Sequence, residues 1–189
     1  MGHQIIEKAV EDILAGLDVD TQSDGLQDTP KRVARALIEM TSGYREDPKE
    51  ILSRTFDGQS DEMVVLRGIR FWSMCEHHLL PFGGSATLAY VPDGRVVGIS
   101  KLARLVTCFS KRLQIQERLT GQIVDAMMEH LKPLGAGAVM NASHGCMVCR
   151  GVLQPDSEMV TSALRGVFLT KPEARAEFLS LSRLALSQT

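Results

Sequence analysis

The sequence predicts an α+β fold with antiparallel strand pairing. Strand-like runs come as two pairs, 61–72 with 85–91 and 137–149 with 159–169, separated by residues with helical apolar spacing. A parallel sheet would need strands alternating singly with helices, and that order is missing. The chain has 189 residues, of which 44% are hydrophobic and 23% charged, enough for one domain with a core of its own and incompatible with charge-driven disorder. That domain is expected to span 1–189, with a mainly helical region over 1–60 and the core over 61–189.

Ile5, Ile6, Ala9, Val10, Ile13, Leu14 and Leu17 recur at three and four, an amphipathic helix ending near Gly16. In the second helix Thr29 is the expected cap, Pro30 fits the first turn, and Val33, Ala36, Leu37 and Met40 are the expected buried stripe before Gly43. Arg32 and Arg35 lie beside that stripe. Two strands then flank a connection over Cys75–Gly84, punctuated by Pro81 and Gly83-Gly84. After a turn at Pro92-Asp93-Gly94 and a short strand, Ser100 is the expected cap of a helix burying Leu102, Leu105, Val106 and Phe109. The next helix runs through Leu119, Ile123, Met127 and Leu131 to Pro133 and Gly135. The last starts at a capping-box-like Thr170-Lys171-Pro172-Glu173 and carries Phe178, Leu179 and Leu184.

The formal net charge of −2 argues against a nucleic-acid coat, so no nucleic-acid partner is expected. No apolar run reaches the roughly 20 residues that span a bilayer, and the N-terminus lacks the basic-then-apolar order of a signal peptide. A cytoplasmic protein without a membrane partner is the expectation. In that compartment Cys75, Cys108, Cys146 and Cys149 read as thiols, metal ligands or core residues rather than disulfides.

Cys75 and His78 stand three apart, close enough to reach one ion from a single turn. If the strand continues through residue 149, His144 and Cys146 share a face and Cys149 takes the other, which makes Cys146 the natural third ligand. Thiolate and imidazole donors without hard oxygens favour zinc, and three protein ligands leave a position for water. His77 and His144 then remain beside the metal as proton carriers. A closed structural site of Cys75, His78, Cys146 and Cys149 is the alternative. A zinc base deaminase is set aside, because its Pro-Cys-x-x-Cys element is absent. Cys108, next to Phe109 on an apolar helix face, reads as core.

Ser100, Lys101 and Arg104 converge at a helix N-terminus, where free amides, a hydroxyl and two cations suit phosphate. The bland reading is a capped helix with solvated cations. Arg32, Arg35 and Arg150 add guanidinium groups that a triphosphate can use. Gln116 and Glu117 pair an amide with a carboxylate, able to meet a guanine-type edge, though in isolation they are just a polar helix start.

Four segments together, Ser73–Phe82, Gly98–Arg104, Gln114–Thr120 and His144–Met147, closely resemble GTP cyclohydrolase I over about Ile5 to Leu184. The resemblance implies the tunnelling fold, in which four-stranded antiparallel sheets with paired helices join into a pentameric barrel and two barrels stack as a homodecamer with active sites between subunits. It implies Zn2+ on Cys75, His78 and Cys146, leaving Cys149 outside. It implies a hydrolase that opens the imidazole ring of GTP at C8, releases formate and, after rearrangement of the ribose, closes 7,8-dihydroneopterin triphosphate, the opening step of folate and pterin synthesis. His77 and His144 would move the protons, Gln116 and Glu117 would read the guanine, and Ser100, Lys101, Arg104 and Arg150 would surround ribose and triphosphate. Arg32 and Arg35 would reach the phosphates of a neighbouring subunit. A sister enzyme of the same fold, acting on a pterin or deazaguanine through a cysteine nucleophile, is the other reading.

Overall fold

The structure, a computed structural model, describes residues 2–58 and 61–183; Leu184 therefore lies outside the described residues. The chain divides into two compact units, Met1–Ser42 and Gly43–Thr189. In the first, α1 (Gly2–Gly16) packs on α2 (Thr29–Met40). Thr29 is already helical; Asp28 takes the N-cap position without a side-chain cap and pairs instead with Arg32 at 3.3 Å. The inward stripe of α2 is Pro30, Val33, Ala34 and Leu37, whereas Ala36 is exposed. Its spacing follows the helical repeat from Pro30, and Ala36 falls off that line.

The second unit opens with a 3-10 turn at Ser42–Arg45 and α3 (Pro48–Leu52), capped by the Asp47 carboxylate accepting from the Lys49 amide. Leu52, the last residue of α3, is buried in the main core. Strand β1 (Thr55–Asp57) precedes β2 (Val64–Cys75) and β3 (Pro81–Val91). The expected Cys75–Gly84 connection thus shrinks to residues 76–80, because Pro81, Gly83 and Gly84 lie in a paired strand rather than a loop. Then come β4 (Arg95–Val97), which pairs with β1, α4 (Ile99–Ser110), β5 (Leu113–Gln114) and α5 (Gln116–Leu131). Ser100 lies inside α4 and makes no cap; Gly98 holds the N-cap position. The chain ends with β6 (Gly135–His144), α6 (Gly145–Val148), β7 (Met159–Gly166), α7 (Val167–Thr170) and α8 (Pro172–Arg183). Thr170 belongs to α7, where its hydroxyl bonds the Gly166 carbonyl, and does not cap α8.

The main sheet has the order β5-β2-β3-β6-β7. Four long strands pair antiparallel, as expected, and the two-residue β5 adds a parallel fifth against the end of β2. Side chains alternate across it. Ala86, Leu88, Tyr90, Ala136, Ala138 and Met140 join Leu102, Leu105, Leu119, Ile123 and Met127 of α4 and α5 in the main core. Ala89 and Leu164 meet Phe168 and Phe178 of α7 and α8 on the opposite face. Small residues along β3 and β6 let both layers of helices approach the sheet, with α4 and α5 packed to complete exclusion of water at Leu105, Val106, Leu119 and Ile123.

Candidate active site

One end of the sheet gathers the chemistry. At the end of β2 the Cys75 amide donates to the Leu80 carbonyl at 2.9 Å and the Leu79 amide donates to the Cys75 carbonyl at 2.9 Å. Leu79 closes this turn in the left-handed region, φ 53°. The short β5 holds the turn from its side: Cys75 is in register with Gln114, and the Glu76 amide donates to the Gln114 carbonyl at 3.1 Å. Arg118, in the first turn of α5, donates to the Glu76 carboxylate, to the Leu113 carbonyl at 3.0 Å and to Gln114 Oε1 at 3.1 Å. This guanidinium holds the Glu76 carboxyl below its ordinary value, against a smaller opposing effect of burial.

Strand β6 stops at His144, so the strand-face argument for Cys146 fails. A helical turn begins at Gly145, which passes so near β3 that a Cβ there would lie 2.7 Å from the Pro81 carbonyl oxygen. That turn, not strand alternation, carries Cys146 to the cluster. The ligand atoms of Cys75, His78 and Cys146 lie within 4.8 Å of one another, and Cys75 Sγ is 3.7 Å from His78 Nδ1. Cys149 stays out for a different reason than the one expected: it lies one helical turn on, exposed, with Sγ 3.0 Å from the Gly145 carbonyl. Burial pushes the Cys146 thiol up, the neighbouring Cys75 adds to this, and Arg150 pulls weakly the other way.

His77 is exposed, with Nδ1 4.0 Å from Cys75 Sγ and Nε2 3.8 Å from Glu76. His144 is half-buried and stacks flat on Phe82, with ring centroids 4.6 Å apart and planes 4° from parallel. Its Nε2 lies 2.8 Å from Gln116 Oε1. Burial lowers the pKa of this imidazole and Glu117 opposes the shift. A cavity of about 230 Å³ is lined by Cys75, His77, Gln116, Glu117, His144 and Cys146, among others.

Gln116, expected to read a ligand edge, lines the cavity with a side chain that is already hydrogen-bonded within the protein. It is fully buried, and its amide nitrogen is spent on the Met140 and Met159 carbonyls and the Thr161 hydroxyl. Glu117 is exposed and keeps its carboxylate at the cavity. Ser100, Lys101 and Arg104 do not line this cavity; Ser100 and Arg104 are exposed at the start of α4. Arg150 is exposed just beyond α6, and Arg32 and Arg35 are exposed on α2 of the N-terminal unit. Sequence reasoning missed the Phe82 stack, the Arg118 clamp and the Gln116 bond to His144. The first two left a trace: Phe82 alternates inward from Pro81, and Arg118 follows Gln114 by one helical turn.

Three donors of kinds that can hold a metal ion thus stand beside a cavity lined by two imidazoles and a carboxylate, an arrangement of the kind found at enzyme sites. The sequence profile of GTP cyclohydrolase I matches residues 6–183. A GTP cyclohydrolase 1 from Wolinella succinogenes is 53% identical over 175 residues, covering 92% of this chain and 94% of its own. One from Dehalococcoides mccartyi is 51% identical, covering 94% and 95%, and one from a Synechococcus species is 54% identical, covering 93% and 77%. The chain belongs to the GTP cyclohydrolase I family. A solved archaeosine synthase QueF-Like structure overlays 57% of this chain and 97% of its own, at 18% identity and a TM-score of 0.46. Among the described residues no helix is long and apolar enough to cross a membrane.

Proposed function

We propose that this chain is a zinc-dependent enzyme that opens the imidazole ring of GTP at C8, releases that carbon as formate and recloses the product as 7,8-dihydroneopterin triphosphate. The observation that carries this is the convergence of Cys75, His78 and Cys146 beside His144 and Glu117 in a chain of this family. The donors fit zinc. Ordinary zinc–sulfur and zinc–nitrogen bonds in a tetrahedron put the two donors about 3.6 Å apart, and Cys75 Sγ and His78 Nδ1 are 3.7 Å apart. Zinc held by Cys75, His78 and Cys146 supplies Lewis-acid activation of water for attack on C8.

The chain's own residues do the rest. Glu117 accepts the N–H groups of the guanine edge; an adenine edge would leave that carboxylate facing an unmatched group once the bound base covers it, which gives selectivity for GTP. His144 and His77 exchange protons with the nitrogens that leave C8 and with the ribose oxygen as the sugar opens. Ser100, Lys101, Arg104 and Arg150 bind ribose and triphosphate, and Arg32 and Arg35 reach the phosphates of a neighbouring subunit. Ser100, Lys101 and Arg104 lie off the cavity of their own chain, and in the homodecamer of two pentamers that the family resemblance implies they are assigned to the site of a neighbouring copy. The exposed position of Cys149 disfavours the closed structural site.

The test is incubation of purified protein with GTP, with and without a strong chelator, reading formate and the near-ultraviolet band of a dihydropterin. Metal-dependent appearance of both is expected. Neither product from zinc-loaded, assembled protein would overturn the reading.

A further inference from the structure

Gln116 is fully buried at the start of α5 and sits in a hydrogen-bond chain whose directions are determined. The Thr120 hydroxyl donates to the Gln116 backbone carbonyl at 2.7 Å, which uses its only hydrogen. Thr120 Oγ1 must then accept from Thr161 Oγ1, 2.6 Å away. With its own hydrogen given to Thr120, Thr161 Oγ1 can only accept from the Gln116 side chain, at 3.1 Å. The Met140 and Met159 carbonyls, 3.1 and 2.9 Å from the same amide nitrogen, are acceptors without exception. Flipping the amide would set its oxygen against three acceptors in a site closed to water, so the nitrogen end faces inward and Oε1 faces His144.

We infer that Gln116 is a positioning residue: Oε1 is an obligate acceptor 2.8 Å from His144 Nε2, so it fixes the ring as an Nε2–H donor and leaves Nδ1 as its other nitrogen for the chemistry of the site. The assignment applies to both protonation states of the ring, since Nε2 donates in each. Phe82, stacked flat at 4.6 Å, restricts the ring to the plane in which that bond is made. Two strands and a helix thus converge on one imidazole: β3 supplies Phe82, β6 carries His144, and α5 supplies the acceptor. The consequence divides a task that the resemblance gave to residues 116 and 117 together. Glu117 reads the base, and the Gln116 side chain serves the histidine.

This rests on the proposed role of His144 as proton carrier, and the experiment separates the two. Histidine-labelled, zinc-loaded, assembled protein is examined by solid-state NMR at neutral pH, with the His144 signals identified by their loss in His144→Asn. The expected spectrum is the Nε2–H tautomer; an Nδ1–H tautomer overturns the inference, whatever His144 does in turnover. Gln116→Met, of similar length and without an acceptor, is expected to lower kcat about ten- to hundredfold with KM for GTP changed less than about threefold and zinc content kept. A rise in KM with kcat unchanged would instead make Gln116 a ligand contact and sink the positioning role. Unaltered turnover in His144→Ala would remove the proton-carrier reading while leaving the tautomer result standing. Should Gln116→Met fail to fold, the wild-type spectrum still decides.

Discussion

Replacing Gly145 with alanine should damage the metal cluster more than it damages the fold. A Cβ at this position would lie 2.7 Å from the Pro81 carbonyl oxygen, about 0.7 Å short of the 3.4 Å at which ordinary contact begins. The obstacle is backbone of a paired strand, so it cannot rotate away as a side chain would, and the helical turn of α6 must move instead. Cys146 is the next residue, and metal–ligand bonds tolerate displacements of only about 0.2 Å. Metal affinity is therefore expected to fall about ten- to hundredfold, or about 1.4–2.8 kcal/mol. Global stability responds less. Overpacking costs about 1–3 kcal/mol, while alanine in place of glycine recovers up to about 1 kcal/mol of helix propensity. The assay is competition for zinc against a chromophoric chelator, with a urea melt of the metal-free protein as control. Zinc affinity within twofold of wild type would refute the idea that this close approach aims Cys146.

Cys149→Ser is expected to keep full metal content and Cys146→Ser to lose most of it, read by metal analysis after gel filtration. Phe82→Ala removes a fully buried ring and should cost about 3–5 kcal/mol in denaturant unfolding; Phe82→Leu should cost much less and still slow turnover through loss of the stack on His144. Arg118→Leu tests the clamp on the metal turn through pH. Glu76 is held below the ordinary value of 4.5, so the pair contributes stability above that pH and loses it as pH falls through the lowered value. The Tm difference between wild type and variant should be largest near neutrality and close below pH 4.5.

The helices were legible because their apolar residues recur with the helical period, and α1, α4 and α5 fall where Val10, Leu105 and Ile123 require. Caps were less so. Thr29, Ser100 and Thr170 are good capping residues, yet Asp28 and Gly98 hold the N-cap positions of α2 and α4, and Thr170 sits in α7. Local preference for a hydroxyl was outweighed by where the chain must turn. The structure does bring Cys75, His78 and Cys146 together, but by a route other than the strand alternation expected for Cys146, since nothing local marks the point where β6 breaks into a helical turn. Only the backbone crossing of Gly145 and Pro81, distant in sequence, shows why it breaks there. The hydrogen bonds of the Gln116 side chain were not legible, because its neighbours Ile115 and Glu117 give no sign of the Met140 and Met159 carbonyls that it meets in space. A buried polar side chain is defined by the acceptors that need it, and those lie more than twenty residues away.

The short parallel strand β5 has a wider effect than its two residues suggest. It covers β2 only at Met74 and Cys75, so among the described residues the long stretch from Val64 to Ser73 has backbone partners on the β3 side alone. At the far end of the sheet β7 likewise pairs only with β6. Among the described residues the sheet therefore ends on two strand edges of opposite position, β2 and β7, and an edge of this kind is a place where a further strand can add. Joined rim to rim, such sheets either close upon themselves as a ring or grow without limit. In the assembly proposed above the rims would be covered, and dilution would then be expected to lower the stability of the sheet.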